Sequence, residues 1–150
     1  SNYGAGVGII IGRPFLLGDT ISVVDSDISG VVEEIKLVYT LLVGEDGEKI
    51  IVPNREIIGR VIVNSKDRRV VQTKIALGSK ANIEAAILAL NNALAAFPEL
   101  SEGPKPLVGG HDFTYGGVVL GVRFWVPSRK YFCTRYAVNE ALLKCYRRDR

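Results

Sequence analysis

The sequence has one histidine, two cysteines and no run of twenty apolar residues among its 150 positions. Each scarcity excludes something. A hydrolytic triad or a zinc site needs partner ligands, and neither Cys133 nor Cys145 has a second sulfur or a histidine at ligand spacing. His111, beside Asp112 in a glycine-rich stretch, reads as a loop residue on the surface. The two cysteines lie in one predicted helix, roughly 18 Å apart at about 1.5 Å of rise per residue, too far for a disulfide. A reducing compartment follows. The basic excess is small, 19 Lys and Arg against 16 Asp and Glu, and much of it sits at Arg147, Arg148 and Arg150. A nucleic-acid binder would show a basic face or stripe, so no nucleic-acid partner is expected. No basic leader with an apolar core and cleavage site is present. What the chain does have is a hydrophobic content of 47% with 23% charged residues, the balance of a folded protein with a core.

Other chemical motifs fail on spacing. Gly4-x-Gly6-x-Gly8 follows no strand and precedes no Gly-Lys-Ser or Gly-Lys-Thr, so it is no nucleotide fingerprint. Asp25, Ser26, Asp27 and Ser29 lack the remaining ligand positions of a calcium loop and read as a turn. Glu33 and Glu34 are adjacent on a predicted strand and point to opposite faces. The late aromatics Phe124, Trp125, Tyr131, Phe132 and Tyr136 read as packing residues. No enzyme signature, metal site or cofactor is expected.

The informative stretch is the opening, "GAGVGIIIGRPF". On a helix Gly4, Gly8 and Gly12 share one face, widened by Ala5. Small residues at that spacing let helix backbones approach closely within a bilayer. Val7, Ile10 and Ile11 would face lipid or a neighbour. Arg13 is the first charge, placed to reach the headgroups, and Pro14 forces the helix to end there. A span needs about 20 apolar residues and this run has about nine, so the pattern predicts only the end of a membrane helix. The competing reading is a buried strand, for which repeated glycine is a poor choice.

Residues 18–66 read as β. "DTISVVD" alternates, "GVVEEIKLVYTLLV" reads as one long β-branched strand, and Asp46-Gly47 marks a hairpin before "EKIIVP". Pro53 closes that strand, Asn54 is placed to cap a short helical turn, and "GRVIVNSK" gives one more strand. About five short strands suggest a small barrel, which removes exposed edges by closing. After "KDRR" (66–69) the order becomes strand (70–77), helix (82–96, with Ile83, Ile87, Leu90 and Leu94 in step), a strand near Leu107, a strand over 116–127 and a helix over 131–147. The expected class is α+β: a five-stranded SH3-like or Sm-like β barrel, then an α/β domain of ferredoxin-like β-α-β-β-α order.

Taken together these pieces resemble the small-conductance mechanosensitive (MscS) channels. The residues that carry the resemblance are Arg13-Pro14-Phe15 after an apolar small-residue helix, Gly18-Asp19, Gly30-Val31-Val32-Glu33-Glu34-Ile35, and the Asp46-Gly47 hairpin. Ile50-Ile51-Val52-Pro53-Asn54 with Ile57-Ile58 and the late Val122-Arg123-Phe124-Trp125-Val126 complete it. The resemblance implies a homoheptamer in the inner membrane whose pore opens under bilayer tension and releases ions and small osmolytes in hypo-osmotic shock, with this region on the cytoplasmic side. It divides the chain into the end of a pore-lining helix (1–13), a β domain (14–66) and an α/β domain (67–150), with further membrane helices expected upstream in contact with lipid. It makes Gly4, Gly8 and Gly12 positions of pore-helix packing, Arg13, Pro14, Phe15, Gly18 and Asp19 the coupling to the β domain, and Pro53 and Asn54 a corner of that domain. The alternative from another class is a soluble SH3-like or Sm-like module that binds a peptide or RNA.

Overall fold

The computed structural model describes residues 2–12 and 14–148, and the chain divides into two compact units, Ser1–Arg68 and Arg69–Arg150.

The first unit opens with helix α1 (Asn2–Gly12), followed by β1 (Thr20–Val23), β2 (Ser29–Ile35), β3 (Tyr39–Val43) and β4 (Lys49–Pro53). A single 3₁₀ turn, Asn54–Glu56, leads on to β5 (Ile62–Asn64). The five strands make one antiparallel sheet in the order β4-β3-β2-β1-β5. Alternation explains the core: Ile21 and Val23 of β1, Val32 of β2, Leu42 of β3 and Val52 of β4 are all buried. Asp46-Gly47 forms the expected β3–β4 hairpin, with Gly47 at φ 81°.

Two expectations need correction here. The segment 30–43 is not one strand. Its chain reverses at residues 36–38, where the Lys36 amide donates to the Tyr39 carbonyl at 2.8 Å. Val38 to Leu41 is apolar or β-branched enough to hide the turn from a propensity reading. The barrel is also not closed: β4 and β5 lie at opposite edges of an open sheet. β5 is three residues long and takes its partners from β1, which leaves it no second ladder to β4 among the described residues. A bulge in β2 between Val32 and Glu34 shifts its register against β3.

The second unit runs β6 (Arg68–Gly78), α2 (Ile83–Ala95), a 3₁₀ turn (Pro98–Glu102), β7 (Leu107–Thr114), β8 (Gly117–Pro127), a 3₁₀ turn (Ser128–Lys130) and α3 (Tyr131–Arg148). Its three strands lie in the order β6-β8-β7, with β7 and β8 antiparallel. β8 is central and carries Leu120, Val122, Phe124 and Val126 into the core at alternate positions. Leu90 and Leu94 of α2 and Val138 and Leu142 of α3 meet them there. Asn82 caps α2 as its side chain accepts from the Ala85 amide at 3.0 Å. Ile83, expected inward, is exposed, and Ala86 takes the buried position one turn on. His111 lies on β7, not in a loop, and is exposed. Cys133 and Cys145 are both free thiols.

The helix–sheet junction as candidate functional site

Four glycines in eleven residues make α1 a poor helix on propensity alone, so packing has to hold it. The packing face is Asn2, Ala5, Gly6 and Ile9, a helical stripe at steps of three, one and three. Ile9 is fully buried in the core of the first unit with Phe15, Ile21, Val32, Leu42, Val52 and Ile57. Ala5 and Gly6 are buried beside it. Gly6 lies so close to the 36–38 turn that a Cβ there would collide with the Leu37 carbonyl, which is why this position takes no side chain. At the start of α1 the Asn2 Oδ1 accepts the Arg55 amide at 2.9 Å, and Gly8 faces the Ile58 side chain.

The surface that α1 meets is fixed by Asn54. Its side chain is fully buried, accepts from Thr40 Oγ1 at 2.8 Å, and donates through Nδ2 to the carbonyls of Lys36 (2.8 Å) and Leu37 (2.9 Å). Its amide donates to the Val38 carbonyl at 2.9 Å, and its own carbonyl receives the Ile57 and Ile58 amides. One carboxamide therefore ties the β2–β3 turn to the β4 corner and holds the Leu37 carbonyl that Gly6 rests on. Pro53, at φ −56°, ends β4 and sets the direction of that corner.

A second carboxamide secures the other end of the junction. Asn64 Nδ2 donates to the Pro14 carbonyl at 3.1 Å and to Asp19 Oδ2 at 3.0 Å. Asp19 is buried, and the same oxygen also accepts the Leu16 amide at 2.9 Å. Gly18 adopts φ 90°, which turns its amide onto the Val32 carbonyl at 2.8 Å, and Val32 returns its amide to the Asp19 carbonyl. Phe15, 1% exposed, is anchored in the core directly after Pro14.

Phe15, Gly18 and Asp19 thus sit together at the junction with the Pro14 carbonyl, and Pro53 and Asn54 at its far corner. Arg13 lies outside the described residues. Gly4, Gly8 and Gly12 are all exposed; Gly8 borders the Ile58 side chain, and Gly12 has open space around it. Sequence reasoning missed Asn2, Gly6, Ile9, Leu37, Arg55 and Asn64. The Asn2-Ala5-Gly6-Ile9 spacing was available as a signal, but the more regular glycine repeat overshadowed it.

The chemistry of the junction is mechanical. Among the described residues no group of His, Cys, Asp and Glu could hold a metal ion. No helix among them is long and apolar enough to cross a membrane. What the arrangement offers is a short helix joined rigidly to a sheet at three places: the Asn2–Arg55 bond, the Gly6–Leu37 contact and the buried Ile9 and Phe15.

The family model of the mechanosensitive ion channel β-domain matches residues 1–67, the stretch that holds this joint. An uncharacterized MscS family protein of Synechocystis is 26% identical over 144 residues, covering 95% of this chain and 48% of its own length. The small-conductance mechanosensitive channel of Edwardsiella ictaluri is 24% identical over 142 residues, with 93% of this chain and 49% of that protein covered. Among solved structures, Helicobacter pylori MscS in its closed state superposes with a TM-score of 0.73 at 23% identity, covering 96% of this chain and 57% of that one. Arabidopsis thaliana MSL1 superposes at 0.72 and 22% identity, covering 98% and 53%. At these identities the solved structures establish the fold. Across nearly its whole length the chain is similar to MscS family proteins, and its first 67 residues match the mechanosensitive ion channel β-domain. It spans about half the length of the relatives it matches.

Proposed function

We propose that this chain is the portion of a tension-gated channel that receives the pore helix and transmits its movement to a β domain. Residues 1–13 are the end of a pore-lining helix, 14–66 the β domain and 67–150 the α/β domain. The β domain is an SH3-like or Sm-like barrel in strand order, left open along one side, and the second domain follows the ferredoxin-like β-α-β-β-α order. The assembled protein is a homoheptamer in the inner membrane, with this region in the cytoplasm and lipid touching helices that precede it. It releases ions and small osmolytes in hypo-osmotic shock. Tension favours the state of larger membrane area, and only a difference of that kind shifts the population.

The observation that carries this reading is the division of α1 into two faces. Asn2, Ala5, Gly6 and Ile9 are spent on the β unit, which leaves the exposed face of Gly4 and Gly12, with Gly8 at its border beside Ile58, for neighbouring pore helices. Arg13, Pro14, Phe15, Gly18 and Asp19 form the link between helix and sheet, and Pro53 and Asn54 the corner that supports it. The peptide- or RNA-binding alternative is not favoured, since it gives no reason for an apolar helix docked on its small residues.

The test is survival of channel-deficient bacteria after sudden dilution. The full-length protein restores survival, and Gly6→Val in it abolishes protection while the protein still reaches the membrane. If Gly6→Val protected as well as the native sequence, the joint would have no part in gating.

A further inference from the structure

The second unit contains a groove that the channel reading leaves without a role. It has a volume of about 460 Å³, within the roughly 300–1,000 Å³ of small-molecule sites. Ile75 and Leu77 of β6 and Leu90 of α2 form its floor, and Cys145 and Tyr146 of α3 its wall. It exists because α2 and the residues before it present alanine where larger side chains would fill the space: Ala85 and Ala86 of α2 and Ala81 ahead of its cap all border it. β6 is an edge strand, so the groove lies on the open side of the sheet.

The charge at its mouth is one-sided. Lys80 stands on the rim, and among the described residues no carboxylate pairs with it. The N-terminal turn of α2, capped at Asn82, adds its partial positive charge at the same end. Glu84, in that turn, is exposed and does not border the groove. An aliphatic trough with a single cation at one end matches a molecule with one apolar chain and one anionic head. A compact anion would leave the trough empty, and a two-chain lipid would overfill it.

We propose that this groove binds a medium-chain fatty acid, its carboxylate at Lys80 and its chain along Leu77 and Leu90 towards Tyr146. This rests on the second unit alone and is independent of the channel function. Cys145 supplies the readout, because it lines the groove and, with Cys133 replaced by serine, is the remaining thiol.

The experiment measures alkylation of Cys145 in the Cys133→Ser chain with and without decanoate below its micellar concentration. Decanoate at about ten times its Kd slows alkylation about tenfold by mass action. Lys80→Glu weakens decanoate binding about tenfold or more through loss of a charge-assisted contact, and decanol binds the native groove as weakly as decanoate binds that variant. Ala85→Phe, at an exposed position that leaves the core intact, fills the groove and removes the response to decanoate. An alkylation rate unmoved by decanoate overturns the proposal, as does equal decanoate affinity in Lys80→Glu. Slowing that follows protein concentration and ignores decanoate overturns it too, in favour of a second copy of the chain.

Discussion

The two units are held by different means. In the second, twelve buried hydrophobic residues meet between one sheet face and two helices, and the pattern is generic: alternation on β8, three- and four-residue steps on α2 and α3. In the first, the buried hydrophobic cluster has seven members among the described residues, and buried Thr40, Asn54 and Asp19 stand around it with half-buried Asn64. The difference follows from what each must position. Apolar burial is non-directional and holds layers together, whereas placing a loop carbonyl under a helix needs donors of fixed geometry. The junction is specified by hydrogen bonds where the second unit is specified by volume.

Five substitutions at four positions would break or sharpen that contrast. Phe124→Ala empties the centre of the second unit and should cost about 3–5 kcal/mol, read as loss of its cooperative unfolding transition in denaturant. Asn54→Ala should cost about 2–4 kcal/mol, because it strands the Lys36 and Leu37 carbonyls and the Thr40 hydroxyl. Asn54→Asp is the sharper version: it keeps the volume but loses both donors, so a volume-only account predicts no effect and ours predicts nearly the whole cost. Asn64→Ala removes the two Nδ2 donors that hold the Pro14 carbonyl and Asp19 and should cost about 1–2 kcal/mol, with faster amide exchange at Leu16. Asn2→Ala should cost about 1 kcal/mol or less, visible as faster exchange of the Arg55 amide with the sheet unchanged. If the alanine substitutions at all four positions lowered stability equally, the distinction between the units would fail.

Much of this fold was legible in the residues. Asp46-Gly47 announced its hairpin, Asn82 its helix, and alternation in 117–127 the central strand with its inward Val122, Phe124 and Val126. The turn at 36–38 was not, since Leu37 and Val38 carry no turn residue and reverse only because Asn54, seventeen positions from Leu37, collects the carbonyls. The open barrel escaped for a similar reason: strand count is local, but closure depends on which edge finds a ladder. In the junction, Pro53 could be read by type as the end of a strand, Asn54 was read as a helix cap although its side chain binds Thr40, Lys36 and Leu37 instead, and Phe15, Gly18 and Asp19 came only from the resemblance. Their partners Asn2, Gly6, Leu37 and Asn64 could not be picked out, because a hydrogen bond or a close approach between distant positions has no period.

The sequence alone determined most of the helices and strands and the apolar faces of the central ones, since both depend on neighbours three, four or two residues away. Only the tertiary structure decided which face of the first helix meets the sheet. That choice turns on the fit between Gly6 and one carbonyl, held in place by an asparagine far along the chain.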